Sequence, residues 1–185
     1  MPMRIETKHK NQHEGRKMDD LNEINNDTQN AGIVDEKDKF LQFDLGAEAY
    51  AIALLEVKEV IPVPDTTSLP NSPSFYSGIM NLRGQIISIL DLRKKMNIKP
   101  KEVGLEEAVI IVEIDKIAIG LIVDSINKVL NLQTLEIAEV PEVRTQVNSK
   151  FIDGVYKGDG NLTLILNLEE LLNIKEIKKL QEKAA

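Results

Sequence analysis

The chain contains no cysteine. That excludes disulfides, thiolate metal sites and a cysteine nucleophile, and it fits a reducing compartment. Histidine is nearly as scarce. Its two copies, His9 and His13, both lie in a polar N-terminal stretch, so a Ser-His-Asp arrangement would lack its base within the apolar part of the chain. The pair has the i, i+4 spacing of helical metal ligands, but no third ligand accompanies it. No metal or other cofactor is expected. Aromatic residues make up 4% of the sequence and the net charge is −7. A nucleic-acid binder would need a basic track and stacking platforms, so an OB-like reading is disfavoured. The longest apolar run, Ile117–Val123, is far short of the roughly 20 residues that cross a bilayer. The first ten residues carry charges without an apolar stretch, unlike a secretory signal. A soluble cytoplasmic protein without membrane insertion is the expectation. Neither a phosphate-cradling GxxxxGK[ST] nor a GxGxxG after a strand occurs.

What is present divides the 185 residues into a tail and a folded part. Residues 1–38 are polar and without period. Residues 1–17 hold five basic and two acidic side chains; residues 18–38 hold one basic and seven acidic. Such a stretch buries too little apolar surface to offset its ordering entropy, and the expectation is a disordered tail. From Lys39 the pattern changes. Leu41, Phe43 and Leu45 alternate with polar neighbours, the period of a half-buried strand, and Gly46-Ala47-Glu48 turns the chain into a partner strand at Tyr50-Ala51-Ile52. Leu54–Ile61 fits helix or strand, with β-branched residues favouring a strand at its end. Pro62, Pro64 and Pro70 then exclude a central strand up to Pro73, after which Ser74–Ser77 reads as one helical turn. Beyond a linker around Pro100 and Gly104, three β-branched strands are expected over 109–114, 117–123 and 126–132, covered on both faces. A loop should follow over 136–150, then strands at 151–156 and 162–168, and helices over 169–172 and 176–183.

One plan occurs twice. Gly78, Gly84, Leu92 and Phe75 match Gly154, Gly160, Leu168 and Phe151 at a constant offset of 76 residues. Such self-similarity points to one hairpin unit used twice. The shared register puts Ile86, Ser88, Leu90 and Leu92 towards the core, as Leu162, Leu164, Leu166 and Leu168 would be. Ile87 and Ile89 then point outward and need cover, from the other half or from a partner. Many short strands with regular turns argue for small β-barrels.

Few side chains suggest chemistry. Asp44, Asp91, Asp115, Asp124, Asp153 and Asp159 sit at turns or strand ends, where Asp is favoured for local backbone bonding, and are read as solvated. No enzyme is expected. Two charges stand out: Glu59, between Val57 and Val60, and Arg83 at a hairpin tip. They could pair with each other, leaving Val57 nearby as apolar surface, or each could be solvated.

The order of motifs is specific. Tyr50-Ala51-Ile52 precedes Val57-Lys58-Glu59-Val60-Ile61; Gly78-Ile79 precedes Asn81-Leu82-Arg83-Gly84; Asp91-Leu92-Arg93, Gly120-Leu121-Ile122-Val123-Asp124 and Asn167–Leu172 follow. By these, residues 39–180 resemble the CheW family of chemotaxis coupling proteins. The resemblance implies a mainly β fold of two packed five-stranded SH3-like β-barrels with short helices and a C-terminal helix. The expected division is a tail over 1–38, a first barrel over 39–104 and a second over 105–185. It further implies a non-enzymatic adaptor, recruited to membrane receptor arrays. Its partners would be the regulatory domain of the histidine kinase CheA and the cytoplasmic tips of methyl-accepting chemotaxis receptors. Motif by motif, the receptor-binding residues would be Val57, Glu59, Asn81, Leu82 and Arg83. The kinase contact would lie at the barrel ends, on residues the motifs do not identify. A CheV-type or kinase-related regulatory domain serving another signalling pathway is the rival reading.

Overall fold

In the computed structural model the described residues are 35–99, 106–132, 137–138, 147–158 and 160–182. Most of the expected disordered tail, with His9 and His13, lies outside them, as does the linker around Pro100 and Gly104. Val34–Ala185 forms one compact unit. Among the described residues, no helix is long and apolar enough to cross a membrane.

The strands form where the alternating pattern places them. β1 (Lys39–Leu45) and β2 (Glu48–Ala53) make the first hairpin, and a 3-10 turn over Leu54–Glu56 leads to β3 (Val57–Pro62). β4 (Tyr76–Leu82) and β5 (Gln85–Asp91) make the second hairpin, followed by the short helix α1 (Leu92–Met96). β6 (Ala108–Ile114), β7 (Ile117–Val123) and β8 (Ser125–Asn131) are the three β-branched strands. The two-residue β9 (Ile137–Ala138) precedes β10 (Ile152–Gly158) and β11 (Asn161–Leu166). The helices α2 (Leu168–Leu171) and α3 (Ile174–Glu182) end the described chain. The expected helical turn over Ser74–Ser77 is only a turn. Tyr76 N–H donates to Pro73 O and already begins β4, because it pairs with Leu90 across the hairpin.

The duplicated plan is real in three dimensions. Both hairpins carry a bulge two residues in, at Tyr76/Gly78 and at Ile152/Gly154. Both are followed by a capped helix: Asp91 accepts from Lys94 N–H, and Asn167 accepts from Glu170 N–H. The backbone N–H of each cap donates to the equivalent phenylalanine carbonyl, Phe75 O or Phe151 O. A second equivalence was not legible from spacing: β1 and β2 pair Leu41 with Ile52 as β6 and β7 pair Ile110 with Leu121.

The strands are not distributed as the boundary between 39–104 and 105–185 supposed. One sheet runs β8-β1-β2-β11-β10-β9 and the other β3-β6-β7-β5-β4. Each therefore takes strands from both halves, and the first has six strands rather than five. Each hairpin adds to the other half's sheet through a parallel pair, β11 on β2 and β5 on β7. A parallel neighbour cannot be reached by a tight turn, so the partner strand must come from elsewhere in the chain.

The result is mainly β, two SH3-like β-barrels joined by a common core. That core draws Leu41, Phe43 and Tyr50 from one sheet and Leu90, Ile110 and Leu121 from the other, with Leu168, Ile177 and Leu180 from the helices. Each sheet also encloses a smaller cluster on its other face. In the five-stranded sheet Ile87 and Ile89 meet Val109, Ile111 and Ile122. The expected outward pair is thus covered, by strands of the other half. Ser88, Leu90 and Leu92 are buried as expected, but Ile86 and Leu162 are exposed by 44% and 56% because both stand at hairpin tips beyond the core.

Candidate functional site

The site grows out of the tip between β4 and β5. Arg83 and Gly84 both have positive φ, at 52° and 87°, as a tight two-residue hairpin turn requires. Gly84 takes this conformation without penalty, whereas Arg83 takes it at some cost. Asn81 secures the turn, since its Oδ1 accepts from Gly84 N–H at 2.8 Å. Arg83 is thereby aimed sideways, and its Nη2 donates to Glu59 Oε2 at 3.0 Å.

This pair reports the shape of the sheet. Glu59 lies on β3 and Arg83 follows β4, the first and last strands of the five. Their side chains can meet only if the sheet curls until its edges approach. Ile61 of β3 and Met80 and Leu82 of β4 pack on the same enclosed cluster, which confirms the curl. Of the two charges, Arg83 is the more open, with 78% of its side chain exposed against 27% for Glu59. An ion pair so exposed adds about 0–1 kcal/mol, so its contribution is to orientation more than to stability.

The expected receptor-binding residues do not all present themselves alike. Glu59, Asn81 and Arg83 come together at the tip. Leu82 is half-buried against the barrel interior. Val57 packs against the common core, because a register shift between Val57 and Glu59 separates the faces that simple alternation would share. Along β3 partly buried and exposed positions alternate, and Val60 is exposed. Val57 is partly buried, while Val60, Val63 and Ile86 are exposed apolar side chains.

Sequence reasoning missed a second polar cluster. Asp124, read as a solvated turn residue, is completely buried. Its Oδ2 accepts from Gly46 N–H at 2.7 Å and its Oδ1 lies 2.9 Å from Arg93 Nη1. The Oδ1 contact is an ion pair, not an aligned hydrogen bond. Arg93 also pairs with Glu107 and, at 3.9 Å, with Asp91, which Lys94 meets at 3.2 Å. Burial disfavours the guanidinium charge, but Glu107, Asp124 and Asp91 together hold the Arg93 pKa above its usual value. The signal was available: an Asp immediately after the seven-residue apolar strand Ile117–Val123 has little water to face.

Gly120, at the centre of that strand, is dictated by space. A methyl group there would collide with Ile89 and Val109. The remaining shifted groups are explained by their surroundings. Burial pushes the Tyr50 phenol far up, assisted by its hydrogen bond to Glu48, and burial raises Tyr76 against a hydrogen bond with Ser88. Burial also raises the Glu56 carboxyl, reinforced by Glu169 and Asp153. Among the described residues no group of acidic or histidine side chains is arranged to hold a metal ion. The geometry presents an oriented ion pair at a hairpin tip closed by the Asn81–Gly84 hydrogen bond.

Comparison with known proteins agrees with this architecture. The family described as "CheW-like domain" matches residues 39–176. "Chemotaxis protein CheW" of Treponema pallidum is 30% identical over 154 residues, covering 80% of this chain and 89% of that protein. The crystal structure of scaffolding protein TtCheW from Thermoanaerobacter tengcongensis superposes with a TM-score of 0.68 at 34% identity, covering 74% of this chain and 90% of that one. "Chemotaxis protein CheV3" of Helicobacter pylori is 29% identical over 127 residues, which span only 41% of its length.

Proposed function

The chain belongs to the CheW-like family, and on that premise we propose that it is a non-enzymatic chemotaxis adaptor. In this reading it couples methyl-accepting chemoreceptors to the regulatory domain of the histidine kinase CheA, in the cytoplasm beneath receptor arrays. The observation that carries the reading is the Glu59–Arg83 pair on its clamped hairpin tip. It offers charges of both signs beside Val60 and Ile86. That is the chemistry for an amphipathic helical hairpin, whose apolar stripe would lie on the exposed aliphatics while its charges meet the pair. Receptor and kinase held by separate surfaces of one compact unit gain effective concentration for each other.

The test is titration of a CheA regulatory domain with the wild-type chain beside Glu59→Arg and Arg83→Glu, together with co-sedimentation on receptor-containing membranes. The expected result is kinase binding by all three and loss of receptor binding in the two variants. A folded wild-type chain that binds no kinase domain would overturn the reading.

A CheV-type regulatory role is the second reading, favoured by the match to less than half of the CheV3 protein. It requires a separate module to act. Receptor-dependent kinase activation by this chain without any added receiver domain would eliminate it.

A further inference from the structure

The chain passes between the two sheets at two described points. It leaves the six-stranded sheet through Leu54–Glu56, between β2 and β3, and returns through Asp124, between β7 and β8. These crossings are built from opposite electrostatics. At the first, Glu56, Asp153 and Glu169 line one cavity, and burial, then repulsion from Glu169 and Asp153, disfavours the charge on Glu56. At the second, Asp124 is tied to both barrels. Its own N–H donates to Asp44 O of β1 and its Oδ2 accepts from Gly46 N–H in the turn between β1 and β2, both on the six-stranded side. Its Oδ1 meets Arg93, which follows β5 of the five-stranded sheet. At the position of Arg93 the duplicated hairpin carries Glu169. One crossing is locked by a guanidinium where its counterpart holds a carboxylate.

The rest of the join is the apolar common core. Apolar contact is non-directional, so it fixes how much the barrels touch far better than it fixes their relative angle. The second crossing has a fixed set of polar partners instead: Gly46 N–H holds Oδ2 of the fully buried Asp124, and the planar Arg93 guanidinium is spread over Asp124, Glu107 and Asp91. We propose that Arg93 is a positioning residue. Through Asp124 it makes the second crossing the fixed pivot between the barrels, with the acidic first crossing as the side that yields. The hairpin bearing Arg83 ends in β5, and α1 with Arg93 follows directly. A partner seated on that hairpin therefore pushes against the pivot, and the other barrel registers the push. This use of the pivot rests on the adaptor reading, whereas the pivot itself does not.

The absence of cysteine allows a test without any partner. Ile86→Cys and Leu162→Cys, at exposed tips of the two barrels, are spin-labelled in the full-length chain, and the inter-label distance distribution is measured. The expected result is one narrow distribution in the parent. In Arg93→Met, and to a lesser degree in Arg93→Lys, the distribution is shifted or at least doubled in width, with far-ultraviolet dichroism unchanged. An unchanged distribution in a folded Arg93→Lys or Arg93→Met would overturn the pivot. In parallel, Arg93→Lys should bind receptor and kinase domain separately within about threefold of wild type, yet lose at least fivefold of receptor-dependent kinase activation. If separate binding and activation fall in step, the residue is merely structural and the positioning role is refuted. If the wild-type chain binds neither partner, the adaptor reading fails while the distance measurement still decides the pivot.

Discussion

Glu59 stands on one edge strand of a five-stranded sheet and Arg83 in the turn that ends the other, yet their side chains meet at 3.0 Å. The contact spans the edges that a flat sheet would hold farthest apart. Its partners are 24 residues distant in sequence, Arg83 exposed and Glu59 only partly so. It marks the closure of one barrel and orients the charge at a hairpin tip.

Because the pair is exposed, it should be a poor stabiliser. A double-mutant cycle with Glu59→Gln and Arg83→Gln, read by urea denaturation, is expected to give a coupling energy below about 1 kcal/mol. A larger value would mean that the pair closes the barrel energetically as well as geometrically.

Gly120 should tolerate no side chain. Gly120→Ala forces a methyl group into Ile89 and Val109 and is expected to cost about 1–3 kcal/mol. The urea midpoint measures this. An unchanged midpoint would show that the barrel interior relaxes freely.

One equivalent pair is polar in one barrel interior and apolar in the other. Gln42 donates to Thr163 Oγ1 at 2.7 Å in one, where the other has Ile111 and Ile87. Thr163→Val leaves the buried amide of Gln42 without its acceptor, at a cost of about 1–3 kcal/mol. Adding Gln42→Leu should recover most of it, because an apolar pair already fills the other barrel. Failure of the double variant to recover would show that the polar pair is needed for packing.

Glu56 should cost stability at neutral pH. Its folded pKa lies above the ordinary carboxylate value, chiefly through burial, then through Glu169 and Asp153. The folded state therefore holds its proton more tightly than the unfolded chain, and stability falls as pH rises from the ordinary value through the folded one. Glu56→Gln is expected to raise the Tm at pH 7, with the gain vanishing below about pH 4, near the ordinary carboxylate value. A gain independent of pH would assign the effect to packing instead.

Local features were largely legible before the structure. Alternation at Leu41, Phe43 and Leu45 marked β1, and the 76-residue register marked both hairpins and their helices. These follow from side-chain period and turn chemistry, which act over a few residues. The Ser74–Ser77 turn misread as helix, and the exposed Ile86 and Leu162 expected in the core, failed for one reason. Each depends on where a strand starts or ends against its neighbours, which local pattern leaves open. That Val57 leans on the common core was equally hidden, because it depends on a register shift between Val57 and Glu59 in β3.

By itself the sequence determined the class of the protein: β-rich and duplicated, with a motif-bearing hairpin and little catalytic equipment. Local patterning is enough for that, since hydrophobic period and turn residues are properties of adjacent positions. Tertiary structure alone decided which strands share a sheet, that Glu59 and Arg83 meet, and that Asp124 takes Arg93 as its partner. Those outcomes turn on parallel pairings between distant segments and on the desolvation of a single carboxylate, and both exist only once the two halves have interleaved.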